Sequence, residues 1–163
     1  AYFGGAWGNY YLLLFFPEVW SYELFETYVE KRVNPWSKNN YSYATDYEEY
    51  NGRKNYAEET AGGYYACRIG VLEKIKKLKR QTSCLALRFI TPEYLLPLGV
   101  FVCREATRKA TKNQPLVFSS KELMMKYAKA LIWKKFGFDL NILLKESKLL
   151  RNMNLQKKLS AFD

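Results

Sequence analysis

Residues 58–80 read EETAGGYYACRIGVLEKIKKLKR, and they carry the strongest helical pattern in the chain. At ~100° per residue, most apolar side chains of this stretch fall on one broad face. They are Ala61, Tyr64, Tyr65, Val71, Leu72, Ile75 and Leu78. The lysines fall mostly outside that face or near the end of the stretch. The pattern therefore predicts a long central helix around which the rest of the chain is organised.

Arg68 is the exception, because it falls close to the centre of the apolar face. A guanidinium group cannot lose its charge inside a protein, so burial requires carboxylate, carbonyl or ligand partners. One interpretation is a structural ion pair or an arginine that reaches water at its tip. The other is an arginine aimed into a polar pocket, where it holds phosphate or a carboxylate. We predict partial burial of Arg68 and pairing with an acid from residues 46–49, or with Glu93 or Glu105.

The segments on either side of the helix have strand character. Alternating or continuous apolar patterns predict strands at 9–16, 21–29, 83–90 and 100–105, with a short helix as the alternative at 21–29. Residues 83–90 and 100–105 are expected to pair antiparallel, since the connection between them is too short for the usual parallel crossover.

Two helices are predicted near the C-terminus. Ser119 or Ser120 begins a helix that runs to Lys135 and ends at Gly137, and Asp139 begins a last helix to about Arg151. The expected fold class is α+β, or α/β as the alternative. It has a mixed or antiparallel sheet, one long central helix and two C-terminal helices.

Length and composition bound the domain organisation. The chain of 163 residues is expected to hold one α+β domain over residues 1–151 and a flexible tail over 152–163. It begins without Met and enters a strand pattern almost at once, which predicts the C-terminal part of a longer chain. No apolar run approaches the ~20 residues that span a bilayer, and no signal-peptide pattern is present. These features predict a cytoplasmic protein without a membrane partner.

Net charge and residue types limit the ligands and the kinds of site to expect. The net charge of +10 suggests an acidic partner, and DNA or a nucleotide is the first expectation. The absence of His removes Ser-His and Cys-His nucleophiles from this segment. Cys67, Cys84 and Cys103 are odd in number and widely spaced, so a disulfide framework and a zinc site are not predicted here.

Charged residues near the ends of predicted elements are the candidate site residues. The acids Asp46, Glu48, Glu93 and Glu105 are candidate catalytic groups, and the arginines Arg53, Arg68, Arg88 and Arg104 are candidates for binding phosphate or nucleic acid. Residues 46–55 are expected to form a loop ahead of the central helix, a common place for a binding site. With Mg²⁺, such acids and arginines suit metal-assisted chemistry on a phosphate-bearing nucleotide. Structural ion pairs are the alternative.

The chain ends in a short motif formed by Gln156, Leu159 and Phe162. This Gln-x-x-aliphatic-x-x-aromatic spacing resembles the peptide that binds the DNA sliding clamp PCNA. A short helical turn would present Leu159 and Phe162 to an apolar pocket. Asp163 stands where many such motifs carry a second aromatic residue, which implies weaker binding. An ordinary amphipathic tail is the alternative, since three residues are easily matched by chance.

The combination of several motifs resembles the C-terminal half of the archaeal Nre proteins, the NreA/NreB family of DNA repair proteins. The resemblance lies in Asp46-Tyr47-Glu48 through Arg53, in TAGGYYACR at 60–68, in Thr91-Pro92-Glu93-Tyr94, and in Pro97-Leu98-Gly99-Val100 through Arg104-Glu105. It implies a role in DNA repair and a clamp-binding motif at the C-terminus, as in this chain. The family also has an N-terminal cysteine-rich, zinc-finger-like motif. Nothing in this sequence matches it, so zinc is expected only in an N-terminal part outside the sequence.

Overall fold

Five strands form one mixed sheet in the computed structural model, which describes residues 1–30, 34, 42–95 and 98–155. They are β1 (Tyr2–Ala6), β2 (Asn9–Phe16), β3 (Tyr22–Tyr28), β4 (Tyr43–Glu48) and β5 (Ser83–Ile90). The strand order is β1-β2-β5-β3-β4. All neighbours pair antiparallel except β3 and β5, which are parallel. Every residue of the central strand β5 is buried, as expected for a strand covered on both faces.

Helices cover both faces of the sheet. They are α1 (Ala61–Leu78), α2 (Val100–Lys112), α3 (Lys121–Phe136), α4 (Asn141–Glu146) and α5 (Lys148–Leu155). Because side chains alternate along a strand, Ala86 faces the core shared with α1 and α2, and Leu85 and Leu87 face the core shared with the last three helices. The result is a three-layer arrangement of helices, sheet and helices. No helix in the described ranges is long and apolar enough to cross a membrane.

Several sequence predictions are confirmed. The fold class is α+β with a mixed sheet, the central helix is α1, and strands occupy 9–16, 22–28 and 83–90. The Ser120 side chain accepts a hydrogen bond from the Leu123 amide at the start of α3, and Gly137 ends that helix at φ 61°. The three cysteines are free and buried.

The strand predicted at 100–105 is wrong, because these residues form the first half of α2. The continuous apolar run Val-Phe-Val-Cys suggests a strand, but burial follows a helical spacing in which Val102, Ala106 and Ala110 are buried. The predicted pairing of this segment with β5 is therefore wrong too. The neighbours of β5 are β2 and β3.

The loop predicted at 46–55 is wrong over its first part, because β4 continues to Glu48. The turn at Asn51-Gly52 is confirmed. The Gly52 amide donates to the Glu49 carbonyl at 2.8 Å, and Gly52 has a φ of 72°.

The last predicted helix is two helices, α4 and α5, separated at Ser147. Helix α5 continues through Leu155, past the predicted start of the tail, and Met153 packs against the core. Residues 152–155 are therefore helical. Residues 156–163, which include Gln156, Leu159 and Phe162, lie outside the described residues.

Candidate functional site

Glu48, at the end of β4, joins side chains from two other elements. Its Oε1 accepts hydrogen bonds from Arg68 Nε at 2.7 Å and from Trp20 Nε1 at 2.9 Å. The Glu48 side chain is 2% exposed and the Arg68 side chain is 31% exposed. The predicted partial burial of Arg68 and its pairing with an acid of residues 46–49 are both confirmed.

The guanidinium of Arg68 is held on one side only. Its Nε binds Glu48, and its central carbon lies 5.7 Å from the centre of the Trp20 ring. Its two terminal nitrogens have no hydrogen-bond partner among the residues that the structure describes. Glu48 and Trp20 thus fix the orientation of a cation whose remaining donors are free to bind an external anion.

Five aromatic side chains form a continuous row beside this group. Successive ring centres lie 5.9, 4.9, 5.2 and 4.5 Å apart in the order Trp20, Tyr22, Tyr64, Tyr65 and Tyr56. Burial raises the pKa of Tyr22 and of Tyr64, so both phenols are neutral at physiological pH. We call this set the aromatic row. Arg68 contacts this row at Trp20, and the row ends at the exposed ring of Tyr56.

Asp46 and Arg53 lie close to Glu48 in the sequence, but their side chains bind the backbone of the loop that precedes α1. The Asp46 carboxylate accepts from the amides of Glu58, Glu59 and Thr60, with distances of 3.2, 2.9 and 2.7 Å, and also pairs with Arg53 at 3.1 Å. Arg53 also donates to the backbone carbonyl of Tyr47 in β4 and to the carbonyls of Asn55 and Tyr56 in the loop. The hydrogen-bonding capacity of both side chains is used to fix the loop that leads into α1.

Arg88, a predicted phosphate-binding residue, is buried between the sheet and α1. It is 6% exposed, pairs with Glu26 at 2.5 Å and donates twice to the Asn9 side chain. Gly63 of α1 covers this pair so closely that an added methyl group would overlap the Glu26 carboxylate. An Arg88 engaged in this way is a structural ion pair.

The remaining candidates make separate contacts. Glu93 accepts a hydrogen bond from the Tyr10 hydroxyl at 3.0 Å. Arg104 pairs with Glu105 at 3.0 Å, within α2. The same Glu105 also binds Arg108, which in turn reaches Glu73 on α1. The eight predicted residues therefore do not converge in one cleft, and only Asp46, Glu48, Arg53 and Arg68 share the region at the start of α1.

A pocket of about 420 Å³ opens beside Trp20, between the end of β4 and α5. Its lining includes Tyr47, Glu49, Tyr50 and Asn152. The Asn152 amide group donates to the Tyr47 hydroxyl at 3.1 Å and to a Glu49 carboxylate oxygen at 3.2 Å. We call this space the α5 pocket. It brings aromatic and polar groups together on the α5 side of the sheet, whereas Glu48 and Arg68 lie on the α1 side.

Glu23, which sequence reasoning missed, positions one wall of the α5 pocket. From β3 it accepts hydrogen bonds from the Ser147 hydroxyl at 2.5 Å and from the amides of Lys148 and Leu149 at 2.9 and 3.1 Å. Burial raises the pKa of Glu23, and these hydrogen bonds oppose the rise. They fix the start of α5 and hence the place of Asn152. The available signal was an acid inside an otherwise apolar strand pattern.

The fold and the site define a three-layer α+β domain whose charged and aromatic groups suit binding of an anionic ligand. Residues 48–162 match the family described as "Archaeal Nre, C-terminal". The chain belongs to this family, as its sequence motifs suggested.

Three relatives carry names that describe their role. The "DNA repair protein NreA" of Archaeoglobus fulgidus is 37% identical over 113 residues, and the protein of the same name from Haloferax volcanii is 37% identical over 108 residues. The "DNA repair protein NreB" of Archaeoglobus fulgidus is 28% identical over 120 residues.

The matched regions cover most of this chain but a small part of each relative. They span 69%, 66% and 73% of the chain, against 28%, 26% and 30% of the respective relatives. No solved structure matches the chain.

Proposed function

We propose that this protein acts in DNA repair, that its folded domain binds nucleic acid or a nucleotide, and that its C-terminal motif binds the sliding clamp PCNA. The names of the relatives support the repair role. The binding role is supported above all by one observation, the partly exposed Arg68 held by Glu48 and Trp20.

The chemistry of a guanidinium suits a phosphate ligand. Its planar fork donates parallel hydrogen bonds to phosphate oxygens, and it also stacks on aromatic rings. Glu48 holds Nε, so the free terminal nitrogens are oriented before any ligand arrives. The net charge of +10 adds long-range attraction for a polyanion. Arg68 is therefore the residue to which we assign phosphate binding.

The C-terminal motif supports the clamp-binding part. Gln156, Leu159 and Phe162 follow Leu155, the last residue of α5, with little intervening sequence. Burial of Leu159 and Phe162 supplies ~1.5–3 kcal/mol each. Part of this gain is lost in ordering the peptide. With no second aromatic residue at Asp163, we expect a dissociation constant in the micromolar range.

Calorimetry of a peptide spanning residues 152–163 against the cognate clamp tests this part. The matched control is the same peptide with Leu159→Ala and Phe162→Ala, which should lose binding. Equal heats from both peptides, or binding by neither, would remove the clamp from the proposal.

Metal-assisted catalysis, the alternative considered from sequence, gains no support from the candidate acids. The carboxylate oxygens of Asp46 accept hydrogen bonds from three backbone amides and pair with Arg53. Glu48 binds Trp20 and Arg68, and Glu105 binds two arginines. The geometry therefore favours binding over this reaction class.

Nucleic-acid binding is tested by fluorescence anisotropy with a labelled single strand. Arg68→Gln removes the proposed phosphate contact, and Arg104→Gln is the control because it removes one equal charge from α2. A hydrogen bond to a charged group contributes ~1.5–3 kcal/mol, so Arg68→Gln should weaken binding about tenfold or more. Arg104→Gln should change it about twofold at most. Equal losses of affinity in the two variants would show that binding depends on net charge and not on Arg68 in particular.

A further inference from the structure

We propose that the α5 pocket receives a single unstacked nucleobase that carries an exocyclic amino group, such as cytosine. This inference rests on the proposed nucleic-acid binding and adds the part of the ligand that the pocket selects. The size of the pocket, its exposed aromatic ring and its polar edge each support it.

The size and walls of the pocket fit a base. Its volume of about 420 Å³ lies in the range of small-ligand sites. The Tyr50 side chain lines the pocket and is 64% exposed, so its ring offers a face for stacking. Stacking on exposed aromatic rings is the main way in which proteins hold single-stranded bases.

The polar edge of the pocket is rich in acceptors. Both amide hydrogens of Asn152 have a partner, one being the Tyr47 hydroxyl and the other a Glu49 oxygen. The Asn152 carbonyl oxygen and the second Glu49 oxygen have no partner within the described part of the chain, and both are acceptors. A ligand that fits this edge must donate hydrogen bonds. The exocyclic amine of cytosine does so, whereas thymine presents a carbonyl there.

The charge of the site fixes which part of a nucleotide enters. The Glu49 carboxylate repels phosphate, so the base and not the backbone is the favoured occupant. Trp20 lines the pocket and also contacts Arg68.

The test compares labelled single strands of about twelve nucleotides, a length within the usual site sizes. One strand carries cytosine, one carries thymine and one has abasic sugars, and all three have the same backbone charge. We expect the cytosine strand to bind about tenfold more tightly than the thymine strand. The abasic strand should bind most weakly.

Two variants test whether Glu49 causes the preference for cytosine. Glu49→Gln should abolish the preference for cytosine while leaving affinity for the abasic strand nearly unchanged or slightly higher. Glu146→Gln on α4 removes an equal charge from an exposed position away from the pocket and should keep the preference.

The outcomes separate the two proposals. If all three strands bind equally, the base pocket is refuted and nucleic-acid binding stands. If no strand binds, the proposed function fails and the pocket inference fails with it. If Glu49→Gln keeps the full preference for cytosine, the base is read elsewhere and the assignment to the α5 pocket is wrong.

Discussion

Replacing Glu26 by Gln should destabilise the domain strongly, because it leaves the buried guanidinium of Arg88 without a counter-charge. Breaking a buried pair by removing one partner costs ~3–5 kcal/mol. The Asn9 side chain keeps two hydrogen bonds to Arg88, which places the expected loss near the lower end, at ~3 kcal/mol. For a chain of this size, such a loss lowers the melting temperature by roughly 6–12 °C.

Urea unfolding followed by circular dichroism measures this loss. The control is the double variant Glu26→Gln, Arg88→Met, in which neither charge is buried. Its loss of stability should be clearly smaller than the summed losses of the single variants Glu26→Gln and Arg88→Met, since the two sites are in direct contact. A loss below about 1 kcal/mol for Glu26→Gln, or simple additivity in the double variant, would refute the assignment of Arg88 to a buried ion pair.

Three further predictions concern single contacts. Gly63→Ala should destabilise the domain, because its methyl group would displace the Glu26 carboxylate; unchanged unfolding in urea would contradict the close packing. Ser120→Ala should lower the free energy of unfolding by ~0.5–2 kcal/mol through loss of the α3 cap, whereas Ser119→Ala should change it little. For Glu23, the folded-state pKa lies above the ordinary value of 4.5, so the folded protein binds the proton more tightly than the unfolded chain. Wild type should therefore gain stability relative to Glu23→Gln as the pH falls from above the raised pKa to 4.5, and a difference that stays constant with pH would contradict this.

The pairing of Arg68 was predictable because a charge on an apolar helix face needs a partner, and acids precede the helix in the sequence. The precise partner was also within reach, since Glu48 belongs to the short segment 46–49. The strand that carries Glu48 was not predictable, because acids occupy the positions where an alternating strand pattern would show apolar residues. Asp46 and Glu48 face α1, and Tyr47 between them faces the opposite core.

The buried acids of β3 could not be assigned from sequence. Glu23 and Glu26 are two charges in an apolar strand pattern, and their partners lie far away along the chain. Ser147 follows Glu23 by 124 residues, and Arg88 follows Glu26 by 62 residues. Local patterns say nothing about such contacts, because one depends on the pairing of β3 with β5 and the other on the packing of the segment between α4 and α5 against the sheet.

The strand wrongly predicted in place of α2 has a similar cause. Four consecutive apolar residues are too few to separate a strand from a helix. What decides is packing, since Val102, Ala106 and Ala110 are buried along one side of the helix, against α1 and the sheet.

The central claim is that Arg68 contacts the phosphate backbone of nucleic acid. The most direct measurement is ¹⁵N-edited NMR of the arginine side chains while a single-stranded oligonucleotide is added. Arg88 provides a control within the same molecule, because it is buried and fully paired. The account predicts that the Arg68 Nε–H signal shifts in a saturable way while the Arg88 signal stays fixed. A saturable shift of other arginines with an unchanged Arg68 signal would contradict it.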